Sequence, residues 1–331
     1  MPLTVLVTGA SGFVGSHLAT ALVDAGHTVR AMTRRPDGYD GAGDAVQGDV
    51  SDTASLDRAL TGVDVAYYLV HSLDSGDFVE LDARAARNFS AAAARAGVER
   101  IVYLGGLGRE DQDLSAHLRS RREVEQLLGA DGVPVTVLRA AIVIGHGGIS
   151  WEITRQLVHH LPAMVCPQWV YTRAQPIAVD DVVRYLVGVL DHDDTAGRAF
   201  DVGGADVLAY VDMLRRAAVL AGRRAPLIVP VPLLTPSLSS RWLSLVTDVD
   251  TATGRSLIDS MSNEVVVRDD AIRDLLPFEP MGYDDAVRAA LADRAGGSGR
   301  GRPTGRRQPA RNSAGRSGGA SARALWVRST S

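Results

Sequence analysis

The stretch Val7-Thr8-Gly9-Ala10-Ser11-Gly12-Phe13-Val14-Gly15 decides the fold of this 331-residue chain. It joins an apolar run at Leu3–Val7, which predicts a buried strand, to an amphipathic segment at Val14–Ala25, which predicts a helix. In a Gly-x-x-Gly-x-x-Gly turn the first glycine permits the tight bend and the second lets a pyrophosphate reach the backbone. The third brings the helix close to the sheet. Bare amides and the positive end of the helix dipole then face the phosphates, so this context predicts a dinucleotide site rather than a plain glycine turn.

Short β-branched runs alternate with longer amphipathic segments throughout residues 1–145. Strands are predicted at Leu3–Val7, Thr28–Thr33, Asp44–Gly48, Asp64–Val70, Arg100–Leu104 and Val135–Leu138, and helices at Val14–Ala25, Thr53–Leu60, Phe78–Ala96 and Ala116–Leu128. This alternation predicts βαβ units with right-handed crossovers. We therefore expect an α/β fold, a Rossmann-type doubly wound parallel sheet with helices on both faces.

Residues 146–295 predict a smaller, mostly helical substrate-side region that interleaves with the sheet. Helices are predicted at Ser150–His160, Asp180–Leu190, Val207–Leu220 and Tyr283–Arg294, strands at Arg198–Val202 and Leu227–Val231, and mostly helical segments after Pro236. Residues 296–331 form a Gly/Arg/Ser tract with too few apolar residues to offset the chain entropy of folding. A disordered, solvated tail is therefore expected, with a contact to acidic lipid or nucleic acid as the alternative.

Charge and cysteine usage narrow the classes of partner and compartment. The net charge is −4, but eight arginines and no acidic residue after residue 294 leave −12 on residues 1–294, which disfavours a nucleic-acid partner. No uncharged apolar run reaches about 18 residues, so no membrane span is expected. Cys166 is the single cysteine and no signal-peptide pattern opens the sequence, so we expect a cytoplasmic protein. No group of His and Cys has metal-ligand spacing, so no metal is expected.

Two arginines at the end of the second predicted strand favour NADP(H) over NAD(H). A ribose 2′-hydroxyl requires Asp or Glu there, whereas a 2′-phosphate requires Arg. The sequence Met32-Thr33-Arg34-Arg35-Pro36 has no carboxylate, and planar guanidinium groups bind phosphate oxygens in pairs. An arginine pair on a solvated turn is the alternative. After the third strand, Asp49 beside Val50 is placed to accept a hydrogen bond from the adenine amine.

Further motifs resemble the short-chain dehydrogenase/reductase superfamily. The three-glycine spacing is similar to that of its extended branch and of NmrA-like proteins, and Ile177-Ala178-Val179-Asp180-Asp181-Val182 resembles its Ile-His-Val-Asp-Asp-Val stretch with Ala for His. Leu138-Arg139 with Val143-Ile144-Gly145 resembles the segment after a late strand, and Arg121-Arg122-Glu123-Val124-Glu125 resembles a Lys-x-Glu-x-Glu helix. The resemblance covers roughly residues 3–230. It implies a Rossmann fold and NAD(P)-dependent oxidation or reduction.

The catalytic set departs from that family's Tyr-x-x-x-Lys pattern. The register of the Lys-x-Glu-x-Glu match places His117 at the tyrosine position and Arg121 at the lysine position, and Gly105-Gly106-Leu107 supplies no hydroxyl after the fifth strand. The pattern resembles the atypical subgroup, which keeps the dinucleotide site alone. Since an imidazole has an ordinary pKa near 6.5, His117 is expected to act as acid or base without help. A surface or substrate-contacting role for His117 is the alternative. Arg121 is expected to hold ribose hydroxyls and supply positive charge, and the absence of lysine from the whole chain discounts the Lys-to-Arg change.

The remaining predicted site residues follow the fourth strand, at the carboxyl edge where ligands of open α/β sheets bind. His71 and Ser72 are expected near the nicotinamide or substrate, with a structural role in the loop as the alternative. The Trp151-Glu152 and Gln168-Trp169 pairs are candidates for a substrate wall or for simple packing. The predicted cofactor contacts together are Thr8, Gly9, Ser11, Gly12, Phe13, Val14, Gly15, Arg34, Arg35, Asp49, Val50, Leu69, His71 and Arg121.

These features favour an NADP(H)-dependent oxidoreductase acting on a small carbonyl or alcohol, with His117 as proton donor. A non-catalytic NADP(H)-binding redox sensor or assembly factor stays open. A nucleotide-sugar epimerase or dehydratase is a weaker alternative, because its oxidation step needs the missing tyrosine. Neither the substrate nor the oligomeric state follows from the sequence.

Overall fold

The computed structural model describes residues 1–72, 77–109, 113–231 and 259–297. Its strands are β1 (Thr4–Thr8), β2 (Thr28–Thr33), β3 (Asp44–Gln47), β4 (Val65–Tyr68), β5 (Arg100–Gly106), β6 (Val135–Ala140), β7 (Val143–Ile144), β8 (Ala163–Pro167), β9 (Arg173–Ala174), β10 (Ile177–Ala178), β11 (Ala199–Val202), β12 (Leu208–Ala209) and β13 (Leu227–Val231). Its helices are α1 (Phe13–Asp24), α2 (Thr53–Leu60), α3 (Phe78–Ala96), α4 (Ala116–Leu128), α5 (Ile149–His160), α6 (Val179–Gly188), α7 (Tyr210–Leu220), α8 (Ala271–Leu275) and α9 (Tyr283–Gly297).

Seven of these strands form one parallel sheet in the order β11-β6-β5-β4-β1-β2-β3. Six of them follow the Rossmann order 3-2-1-4-5-6, which confirms the predicted doubly wound α/β fold. The seventh, β11, lies beside β6 with Phe200 opposite Leu138, so the C-terminal half of the chain adds a strand to the sheet. The strand order reverses between β1 and β4. Ligands of such sheets bind at this reversal, next to the turn that starts at Gly9.

Helices cover both faces of the sheet because side chains alternate along each strand. In β1, Val5 and Val7 join an apolar core beneath α1 and α6, while Leu6 joins the opposite core beneath α2, α3 and α4. From β4, the hydroxyl of Tyr67 donates a hydrogen bond to the carbonyl of Leu186 in α6 at 2.7 Å. Burial on both faces explains why the strands read as nearly continuous apolar runs.

A third apolar core lies in the C-terminal half, among α5, α7, α9, β8 and β13. Trp151, Val170 and Met213 are buried there, and β8 pairs in parallel with β13. The sequence did not predict the short strands β7, β8, β9, β10 and β12, because strands of two to five residues carry little periodicity. The helix predicted from Val207 begins at Tyr210, since the residues just before it pair with β9.

Two expectations concern parts of the chain that the structure describes only in part. Among the described residues, no helix combines the length and the apolar character needed to cross a bilayer. Of the predicted tail, only residues 296 and 297 are described, and they end α9; residues 298–331 lie outside the described ranges. The helical segments expected directly after Pro236 also fall outside them, up to residue 258.

Candidate functional site

The turn between β1 and α1 has a geometry that requires glycine. Gly9 adopts a left-handed φ of +64°, and its carbonyl accepts a hydrogen bond from the Gly12 amide at 2.8 Å. A Cβ at Gly15 would overlap the carbonyl oxygen of Gly9 and lie 2.8 Å from its carbonyl carbon. A Cβ at Gly9 would lie 3.2 Å from the carbonyl oxygen of Leu69. The turn is therefore packed between α1 and the end of β4, with no room for side chains on these two inner glycines.

The amino-terminal end of α1 presents amides without a side-chain cap. Gly12 occupies the N-cap position, and the first turn of the helix contains no acidic residue. The first N–H groups of a helix have no partner within the helix, and the dipole adds about half a positive charge. Beside them, Ser11 is exposed. A diphosphate matches this donor set, because it supplies both the missing acceptors and the negative charge.

Three residues of the predicted contact set hold the turn in place. Thr8 is fully buried, and its hydroxyl accepts a hydrogen bond from the Leu69 amide at 2.9 Å, which ties β1 to the end of β4. The ring of Phe13 packs against the backbone at Gly145, where a Cβ would lie 2.7 Å from a ring carbon. Val14 packs against the core beneath α1. The turn is thereby fixed relative to β4 and to the loop that follows β7.

Arg34, Arg35 and Asp49 lie at the ends of β2 and β3, where the adenosine was expected. Both arginine side chains are exposed. Asp49 accepts hydrogen bonds at Oδ1 from the amide and the hydroxyl of Ser51, at 2.8 and 2.7 Å. These bonds, with the charge of Arg34, hold the pKa of Asp49 below its usual value although partial burial opposes them. Arg34, expected to bind the 2′-phosphate, is thus close enough to affect the charge of Asp49, expected to bind the adenine. Val50, next to Asp49, is partly buried.

Arg121 is buried in an ion pair with α3. Its Nη2 lies 3.3 Å from Oδ2 of Asp82, and the two side chains are 8% and 4% exposed. The other carboxylate oxygen accepts a hydrogen bond from the Ser72 amide at 2.8 Å. Burial raises the pKa of Asp82, although the charge of Arg121 and the bonds from Ser72 oppose the rise. The residue at the family's lysine position is therefore held by a partner that the sequence-based reasoning missed.

His117 lies one helical turn before Arg121 and does not have the ordinary pKa expected from the sequence. Burial, followed by the charges of Arg121 and His71, lowers the pKa of His117 from its usual 6.5 to about 3. The expectation of a readily protonated imidazole is wrong, because burial removes the water that stabilises the charged form. Its Nδ1 is buried and has no hydrogen-bond partner among the described residues. His71 itself is exposed, at the end of the β4 segment.

A cavity of about 140 Å³ opens beside His117, between the carboxyl ends of β5 and β6 and the helices α5 and α7. Its described lining consists of Gly106, Leu107, His117, Leu118, Ala140, Ala141, Ile142, Ser150, Ile153, Thr154, Leu157, Trp169, Tyr210, Met213, Leu214, Ser260, Met261 and Val265. Of the two tryptophans predicted as candidates for a substrate wall, Trp169 borders the cavity, whereas Trp151 is buried in the core. The cavity thus lies at the sheet edge where the nicotinamide end of a dinucleotide was expected.

Asp82 and Tyr210 show what the sequence-based reasoning missed. Asp82 lies on the apolar side of α3, three and seven residues before Ala85 and Phe89, both of which are buried. A lone carboxylate in an apolar helical stripe is the signal that could have indicated a buried cationic partner. No comparable signal marked Tyr210, which reaches the cavity from a helix far along the chain.

Known protein families include one that matches the part of the chain that forms most of this site. A model described as NAD(P)H-binding matches residues 9–193, more than half of the chain. The chain belongs to this NAD(P)H-binding family. The matched span starts at Gly9 and includes Arg34, Asp49, His117 and Arg121, so the family assignment covers the turn and both ends of the candidate site.

Curated relatives of this NAD(P)H-binding protein include two named reductases. The chain is 33% identical over 225 residues to the (4-alkanoyl-5-oxo-2,5-dihydrofuran-3-yl)methyl phosphate reductase of Streptomyces griseus, covering 66% of this chain and 74% of the relative. It is 29% identical over 263 residues to the ceramide reductase of Caulobacter vibrioides, covering 73% and 78%.

Among solved structures, the NADPH-dependent quinone oxidoreductase QOR2 of Escherichia coli, crystallised with NADPH, superposes with a TM-score of 0.70. The sequence identity is 18%, and the superposition covers 86% of this chain and 98% of that one. At this identity the likeness shows the fold alone, and it agrees with the seven-stranded sheet and its flanking helices.

Proposed function

We propose that this NAD(P)H-binding protein is an NADP(H)-dependent oxidoreductase of the atypical, NmrA-like kind, acting in the cytoplasm on the carbonyl or alcohol group of a small molecule. The observation that carries the proposal is the placement of His117, which borders a cavity at the strand ends of a dinucleotide-binding sheet. The names of the two curated relatives support reduction as the direction. The exposed arginine pair after β2 supports NADP(H) over NAD(H).

The described residues fit a dinucleotide laid along the carboxyl edge of the sheet. The uncapped amides after Gly12 would hold the diphosphate. Arg34 and Arg35 would pair with the 2′-phosphate, and Asp49 would meet the adenine amine. The remaining, nicotinamide end would then point past His71 towards the cavity.

The reaction needs a hydride on the carbonyl carbon and a proton on its oxygen. When bound, NADPH supplies the hydride and becomes NADP⁺, while the proton comes from water. Because its pKa is about 3, His117 is neutral at physiological pH and acts as an N–H donor rather than as an imidazolium acid. A neutral imidazole held by its surroundings is able to polarise a carbonyl oxygen. Arg121, anchored by Asp82, adds a fixed positive charge near the same ring.

The test is NADPH oxidation against a panel of uncharged ketones and aldehydes, with His117→Ala and His117→Gln beside the wild type. Loss of the N–H donor in His117→Ala should lower kcat about 10²–10³-fold while the Kd for NADPH stays within about twofold. His117→Gln keeps an N–H group and should retain part of the rate. Replacing the exposed His160 by Ala is the control and should change neither constant. Unchanged turnover in His117→Ala would remove His117 from the mechanism.

A second function, a non-catalytic NADP(H) redox sensor or assembly factor, is favoured by one observation. The low pKa of His117, together with the absence of a hydroxyl side chain at Gly105 and Gly106 at the end of β5, leaves the site without an ordinary proton donor at the family's positions. Tight NADPH binding without turnover of any carbonyl would support this second function. It would gain further support from a protein partner that binds only the reduced or only the oxidised form.

A further inference from the structure

The described lining of the cavity beside His117 consists of uncharged side chains, most of them apolar. Leu157, Met213 and Leu214 form part of its wall with the rings of Trp169 and Tyr210. The polar side chains on the described lining are those of His117, Ser150, Thr154, Tyr210 and Ser260, apart from the Trp169 N–H. No Asp, Glu or Arg belongs to this described lining. A charged substituent placed here would lose its water without gaining an opposite charge, which is strongly unfavourable.

The size of the cavity limits the group that it can enclose. An apolar cavity of about 150 Å³ in another protein accommodates benzene, so about 140 Å³ suits a six-membered ring or a chain of about six carbons. Each methylene group that enters such a site strengthens binding about fourfold. A larger group would extend out of this space or displace the described wall, where Trp169 and Tyr210 pack edge to face with ring centroids 6.1 Å apart.

Two ring nitrogens of residues that line the cavity make no hydrogen bond to the described residues. His117 Nδ1 and Trp169 Nε1 are both buried, and neither has a hydrogen-bond partner among the described residues. An indole N–H is a donor only, so burying it without an acceptor costs free energy. Both rings border the same cavity. When the neutral imidazole carries its proton on Nδ1, one carbonyl oxygen on an otherwise apolar ligand is able to accept hydrogen bonds from both rings.

We infer that the cavity binds an uncharged ketone or aldehyde whose carbonyl carries an apolar ring or chain of about six carbons, and that Trp169 determines this specificity. The inference rests on the proposed function and adds the substrate class. Reduction adds a hydride to the carbonyl carbon and a proton to its oxygen, giving the secondary or primary alcohol and NADP⁺.

Acetophenone and 4-acetylbenzoate test the inference, because they share a ring and a ketone and differ in one carboxylate. The wild type should prefer acetophenone by about a hundredfold or more in kcat/KM. Propanone, which lacks the ring, should be reduced with a much lower kcat/KM, at about fourfold per missing carbon. Trp169→Phe keeps an aromatic wall and removes the N–H, so kcat/KM for acetophenone should fall about tenfold while the Kd for NADPH does not change.

Ala141→Leu fills the cavity and supplies the decisive comparison. Ala141 borders the cavity, so the larger side chain should raise the KM for acetophenone at least about tenfold and leave propanone within about twofold. Ala292 is exposed on α9, and Ala292→Leu is the matched control that should change neither KM. Both variants should keep the unfolding midpoint and NADPH affinity of the wild type.

Calorimetric binding of acetophenone to the protein saturated with NADP⁺, which has no hydride to transfer, distinguishes a wrong substrate class from a wrong proposed function. Equal use of acetophenone and 4-acetylbenzoate, unaffected by Ala141→Leu, would overturn the substrate class and leave the oxidoreductase function standing. Saturable acetophenone binding that is lost in Ala141→Leu would support the cavity assignment even if no ketone were reduced. Absence of both turnover and acetophenone binding would overturn the proposed function and the inference together.

Discussion

Replacing Gly15 by Ala should weaken NADPH binding without unfolding the protein. The added methyl carbon would overlap the carbonyl oxygen of Gly9 and lie 2.8 Å from its carbonyl carbon, both backbone atoms that cannot rotate away. Carbon atoms pack at about 3.5–4.0 Å, so α1 must move from the turn by about 1 Å. Hydrogen bonds to phosphate tolerate only a few tenths of an ångström. The shift should therefore break at least one amide–phosphate bond.

The expected size of this effect follows from the strength of one such bond. A hydrogen bond to a charged group contributes about 1.5–3 kcal/mol, so the Kd for NADPH should rise about ten- to hundredfold. Overpacking of this kind lowers the free energy of unfolding by about 1–3 kcal/mol. Titration followed by NADPH fluorescence measures the Kd, and thermal unfolding confirms that the variant is folded.

Gly296→Ala is the matched control for this experiment. A Cβ at Gly296 meets no atom within 4 Å, and the residue lies near the end of α9. The control should bind NADPH with the wild-type Kd. If Gly15→Ala also binds NADPH within twofold of the wild type, the close packing of turn and helix does not serve the dinucleotide, and the reasoning fails.

Three further predictions concern the adenosine end, the buried histidine and the buried ion pair. Replacing Arg34 and Arg35 together by Ser should weaken NADPH binding about ten- to hundredfold and leave NADH nearly unchanged, and an equal loss for NADH in calorimetric titration would contradict the phosphate role. Because the folded protein holds His117 neutral down to a pKa of about 3, the unfolded chain binds a proton first as pH falls below about 6.5. The wild type should then lose stability relative to His117→Gln, by up to about 1.4 kcal/mol per pH unit in urea unfolding, whereas a difference that is constant with pH would refute the shift. Asp82→Ala leaves a guanidinium buried without its partner and should lower the free energy of unfolding by about 3–5 kcal/mol. Asp57→Ala, which breaks the exposed pair with Arg95, should lower the free energy of unfolding by less than about 1 kcal/mol. Equal losses in the two variants would show that burial of the Arg121–Asp82 pair does not increase the cost of breaking it.

The sheet and the glycine turn could be predicted from the sequence because local signals specify them. Gly9 and Gly15 each meet a steric requirement that favours glycine, and the apolar run before the turn has the length of a buried strand. The order of the first six strands then follows from the rules for βαβ units. Strand β11 was also predicted, at Arg198–Val202. Its place in the sheet could not be predicted, since its partner β6 lies about sixty residues earlier.

The chemistry beyond the cofactor turn depends on contacts between distant segments, which no local pattern records. The alignment with the family's motif identified His117, but its depressed pKa arises from burial against other elements of the fold. Arg121 was expected to hold the cofactor, whereas its ion pair with Asp82 joins α4 to α3. The cavity combines the ends of β5 and β6 with Trp169 and Tyr210, which lie 29 and 70 residues after the last residue of β6.

Titration of the wild-type protein with NADPH, with NADH as competitor, tests the central claim most directly. The account predicts saturable binding of NADPH to one site per chain, displaced by NADH only at about tenfold or higher concentration, because the turn amides serve both molecules and the arginine pair serves one. Failure of both dinucleotides to bind would contradict the assignment of the glycine turn, and tighter binding of NADH would contradict the assignment of the arginines.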